Sequence, residues 1–114
     1  MPKRRTPDDN VPQIVEQMPV FAGGMAGLVR YLATHAHYPS PIDRTQPRPS
    51  GRVFVQFVVG PTGDVLRPMV IKGFDPACDA EALRVVASLP RWEPGRRNGE
   101  PVEVRFLVPL TFHP

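Results

Sequence analysis

Cysteine is nearly absent from this chain. Cys78 stands alone among 114 residues, which excludes an internal disulfide and leaves the redox compartment unread. No stretch approaches the roughly 18 apolar residues that cross a bilayer as a helix. The opening ten residues are polar and proline-containing, with no apolar segment of the kind a signal peptide carries. One-signed charge is lacking too. Residues 1–50 hold six Lys/Arg against four Asp/Glu, and residues 51–114 hold eight against seven. Neither half is a basic arm, and no stacking aromatics or recognition motif accompany the charge, which argues against a nucleic-acid binder. A phosphate-cradling glycine loop and a nucleophile elbow are also missing.

What the chain does have is a globular balance, 41% hydrophobic and 22% charged, in which 16 prolines punctuate the pattern without filling it. Its length suits a single core. Residues 1–12 read as a flexible lead-in or linker end, and residues 13–114 as one domain. Ile14, Val15 and Met18 suggest a short extended segment, confined to a sheet edge by Pro12 and Pro19.

Periodicity then sets out the elements. After Gly23 and Gly24, the apolar residues Met25, Leu28, Leu32 and Ala36 recur at helical spacing, with Arg30 and Thr34 on the other side. This helix stops before Pro39, which leaves Tyr38 extended. Residues 40–50 read as loop. In the run from Gly51 to Val59, the residues Val53, Val55, Phe57 and Val59 alternate with Arg52, Phe54, Gln56 and Val58, the strongest strand pattern in the chain. Gly60-Pro61-Thr62-Gly63 turns it into a second strand over Val65 to Lys72, where Pro68 requires an edge.

Asp75-Pro76 supplies an N-cap acceptor and a proline suited to the first helical position. The helix that follows carries Cys78, Ala82, Val85, Val86 and Leu89 as its apolar stripe, and Pro90 ends it. Arg91 to Gly95 reads as a tight connector and Asn98-Gly99 as a turn leading into a third strand. On that strand Val102, Val104, Phe106, Val108, Leu110 and Phe112 share one face. The expected fold is α+β: two helices on one face of a small three-stranded antiparallel sheet, in the order helix-strand-strand-helix-strand.

Catalysis has little to stand on. Asp75, Asp79 and Glu81 are accounted for by cap and helix-dipole roles, and Cys78 belongs to a buried stripe. His35 and His37 invite a metal reading, but no third ligand has suitable spacing. No catalytic residue, metal or cofactor is expected. Trp92, between Pro90 and Pro94, reads as a staple holding the connector on the core. Arg91, Arg96 and Arg97 form a local basic cluster that suits either an acidic partner or a solvated loop.

Several short pieces in one order carry a family resemblance. They are Phe21-x-Gly23-Gly24, Tyr38-Pro39, Gly51-Arg52-Val53-x-Val55-x-Phe57-x-Val59, Gly63, Gly73-x-Asp75-Pro76, Asp79-Ala80-Glu81-Ala82-Leu83, Pro90-x-Trp92-x-Pro94-Gly95 and Gly99-x-Pro101-Val102. Together they resemble the TonB C-terminal domain family across Glu16 to Phe112. The resemblance implies a non-enzymatic periplasmic domain of an energy transducer, inner-membrane anchored where an upstream helix exists. It implies binding to the N-terminal peptide, or TonB box, of outer-membrane TonB-dependent transporters, with force passed on from a proton-driven inner-membrane motor for nutrient import.

An exposed final strand accepts such a peptide by strand addition, and the resemblance places the segment leading into the Tyr-Pro pair beside it. The partner-binding residues expected on these grounds are His35, His37, Tyr38, Pro39, Val102, Val104, Arg105, Phe106, Leu107 and Val108. The histidines depart from the polar residues common at those places in the family. Three alternatives stand beside this reading: an adaptor module with the same fold and no motor, a sensory domain of the same fold appended to a membrane peptidase or receptor, and a homodimer made by strand exchange at the exposed edge.

Overall fold

The computed structural model describes residues 15–39 and 50–113; the lead-in expected over 1–12, Ile14 and most of the loop expected over 40–50 lie outside the described residues. The elements are α1 (Gly24–His35), β1 (Gly51–Val59), β2 (Val65–Lys72), α2 (Pro76–Ala87), β3 (Gly95–Arg97), β4 (Glu100–Val102) and β5 (Val104–Phe112). The two helices and antiparallel pairing are as expected. The order is not, because a separate two-stranded sheet, β3-β4, stands between α2 and the final strand.

β1 is the centre of the three-stranded sheet β2-β1-β5. Its alternation explains why: Val53, Val55, Phe57 and Val59 all lie at 0% exposure, and a strand with that much apolar surface on one face gains most where both neighbours shield it. Opposite that face, α2 lays down Cys78, Ala82, Val85 and Val86, each at 0% exposure, while Leu28 and Leu32 descend from α1. The Asp75 carboxylate accepts from the Cys78 N–H at 3.0 Å with Pro76 at the first helical position, so α2 starts where the sequence places its cap.

The third strand is the main correction. Val102 was expected at its start, but it pairs with Gly95 in a hairpin turned at Asn98-Gly99. Both turn residues have positive φ, 53° and 77°, the requirement of a two-residue turn whose twist matches its strands. Asn98-Gly99 therefore closes its own hairpin, and the final strand starts only at Val104. The supposed connector is extended as well. The Val20 N–H donates to the Glu93 carbonyl at 3.0 Å, and the Arg96 N–H to the Gln17 carbonyl at 2.8 Å. The segment before α1 thus borders the hairpin, not the main sheet.

The second correction concerns Met25. Expected on the buried stripe of α1, it is 63% exposed, and Val29 one turn on is 62% exposed. Phe21, just ahead of the helix, fills the core position, at 5% exposure against Trp92 and Tyr31. α1 packs over β5, the last strand, and only its Leu28–Leu32 row has strand beneath it.

Candidate functional site

The two edges of the sheet differ. β2 meets β1 with two register shifts, one of them spanning Arg67, which has a φ of 50°, and Pro68. Such bulging twists an edge away from further pairing. β5 instead pairs with β1 along nine uninterrupted residues, Gly51↔Phe112 through Val59↔Val104. That register passes through Pro109 opposite Phe54 without a break. The position with no N–H therefore faces outward, and so do its alternates Arg105, Leu107 and Thr111. Among the described residues no strand joins the outer edge of β5, which presents the N–H groups of Leu107 and Thr111 on either side of a gap at Pro109.

Beside this edge runs an open groove of about 340 Å³ between α1 and β5. Met25, Val29 and Ala33 form its helical wall, Leu107 and Pro109 part of its strand wall, and Arg52 is the one charged lining residue among the described residues. Val104 and Val108 are buried beneath, Phe106 is half-buried against Trp92 and Phe57, and Arg105 is exposed on the uncovered face.

The other expected residues gather elsewhere. His35 ends α1 with its ring stacked on Tyr31, centroids 3.8 Å apart. The His37 N–H donates to Glu81 Oε2 at 3.0 Å, and Arg84, paired with Glu81 at 2.7 Å, donates to the His35 carbonyl at 3.3 Å. The hydrogen bond from Arg84 is the first cause holding the Glu81 carboxyl below its ordinary range, helped by the His37 N–H. Tyr38 is half-buried on the core, its hydroxyl beside the Cys78 thiol. Burial, then Asp75, pushes that thiol up to about 11. His35, His37 and Tyr38 thus join α1 to α2; neither they nor Pro39 line the β5 groove, and Val102 lies in the hairpin.

Trp92 is 3% exposed, its ring 5.2 Å from Phe21 and 5.0 Å from Phe106, with its backbone N–H donating to Gly63 at 2.8 Å. It staples the connector as expected. The basic cluster is divided: Arg91 pairs with Asp64 at 3.1 Å and Arg96 reaches the Gly99 carbonyl.

Sequence reasoning missed Met25, Val29, Ala33 and Arg52 as groove residues. A signal was present, since residues 25, 29 and 33 form an i, i+4, i+8 row beside 28 and 32, giving α1 a broader apolar surface than one core stripe requires.

These features define a class: a small α+β domain whose sheet ends, among the described residues, in a groove-flanked edge strand. Residues 34–114 match the family described as Gram-negative bacterial TonB protein C-terminal, and the chain belongs to that family. No curated protein and no solved structure matches it. The matched span begins near the end of α1, so Phe21-x-Gly23-Gly24 precedes it. Domains of this family are periplasmic, transport-associated and non-enzymatic, and they interact with outer-membrane transporters. Among the described residues, no helix is long and apolar enough to cross a membrane.

Proposed function

We propose that this chain, folded as one domain over residues 13–114, accepts the N-terminal peptide of an outer-membrane TonB-dependent transporter by strand addition at β5 and passes on a pull. The observation that carries the reading is the regular outer edge of β5, which no other strand joins among the described residues, with outward N–H groups at Leu107 and Thr111 and an apolar groove beside it. Main-chain hydrogen bonds supply the grip in strand addition and flanking pockets the choice of sequence. A ladder pulled along its length loads its bonds together, so a net contribution of about 1 kcal/mol each suffices for a transient link. Force reaches the domain, in this reading, from an inner-membrane proton-driven motor through an upstream anchor.

The test is an NMR titration of the chain with synthetic N-terminal peptides of transporters from the same genome. Shifts centred on residues 104–112 are the expected result. Shifts confined to other surfaces, or none at millimolar peptide, would overturn strand addition at β5.

A further inference from the structure

Any strand added to β5 places alternate side chains on the helix side of the sheet. Its residues opposite Val108 and Leu110 lie on that side, because those two positions face the core. There they meet Met25, Val29 and Ala33, which advance by only about 40° around α1 at each four-residue step and so form one continuous wall. The remaining guest side chains fall beside Leu107, Pro109 and Thr111 on the uncovered face.

Arg52 is on that same face, in register with Thr111. A guest residue opposite Thr111 is two strand spacings away, about 10 Å, a gap spanned by the two side chains of an arginine–carboxylate pair. Among the described residues the Arg52 side chain has no hydrogen-bond or ion-pair partner, and none of those lining the groove is a carboxylate.

Resting on the strand-addition reading, we propose that Met25, Val29 and Ala33 with Arg52 select the peptide. The favoured occupant is an extended segment with aliphatic side chains at alternate positions and a carboxylate at the end beside Thr111. A second copy of this chain fits poorly, since its β5, Val104 to Phe112, contains no Asp or Glu and would bring a second Pro109 to the ladder.

The experiment titrates the full chain with acetyl-Glu-Val-Thr-Val-Thr-Val-Thr-amide and with the peptide of reversed sequence, which covers both strand directions. Amide shifts on β5 report binding and give the Kd. We expect one of the two probes to bind. The double variant Met25→Gln/Val29→Asn, at exposed positions, should weaken it about tenfold, while Arg30→Gln on the far side of α1 leaves it unchanged. Arg52→Glu should weaken the Glu probe and favour its Glu→Lys counterpart. If β5 still shifts and both variants keep Kd within about twofold, the selection proposal is overturned and strand addition stands. If no probe or transporter peptide shifts β5, strand addition itself fails and takes this proposal with it. A concentration-dependent dimer that the double variant dissolves would reassign the groove to a second copy.

Discussion

The backbone N–H of His37 donates to Glu81 Oε2 at 3.0 Å, across 44 residues of chain. Glu81 also holds Arg84, which reaches back to the His35 carbonyl. One carboxylate on α2 therefore ties down the C-terminal end of α1, where the last helical carbonyls otherwise need water.

Glu81→Gln should lower stability at neutral pH by about 1 kcal/mol, the usual scale for losing a charged acceptor at a partly exposed site, read as a lower urea midpoint. The folded-state carboxyl lies below its ordinary value of 4.5, chiefly because of the Arg84 hydrogen bond. Its contribution is therefore fully present above about pH 4.5 and lost as pH falls through the folded value. Between pH 7 and pH 3 the native chain should lose more stability than Glu81→Gln.

Trp92→Ala should cost about 3–5 kcal/mol, the range for emptying a buried aromatic site. Trp92→Phe should cost distinctly less, because the Trp92 indole N–H has no hydrogen-bond partner to lose. Equal losses in thermal or urea unfolding would contradict the staple role.

Gly63→Ala should be among the most damaging single changes outside the core. Its φ is 86°, and an added Cβ would collide with the Trp92 carbonyl oxygen. The expected loss is at least about 2 kcal/mol, with a lower melting temperature as the readout.

Cys78 should resist alkylation by iodoacetamide at neutral pH and react readily in urea. It is fully buried, and its thiol is pushed up to about 11 by burial first and Asp75 second, so almost none of it is thiolate. Rapid modification of the folded chain would show that α2 opens.

Pro109→Ala should restore the missing outward N–H on β5 while leaving the pairing with β1 intact. One added hydrogen bond of about 1 kcal/mol corresponds to roughly fivefold tighter peptide binding. A disturbed β1–β5 register in the variant would mean that Pro109 faces inward.

By itself the sequence determined the local decisions. The alternation of Val53, Val55, Phe57 and Val59 made a strand with one buried face, Asp75-Pro76 started a helix, and Pro68 assigned β2 to an edge. Each depends on torsions and side-chain periods that act within a few residues. The run of residues 102–112 was misread because a period-two pattern crosses a break unnoticed. Only pairing with Gly95 shows that Val102 belongs to a hairpin. Tertiary structure alone decided which apolar row of α1 is buried, because Met25 and Val29 are exposed only where the sheet ends at β5. It also decided that His37 serves Glu81 and that Arg52 faces the groove beside Thr111. Burial and charge pairing there depend on surfaces far apart in the chain, and no local spacing encodes them.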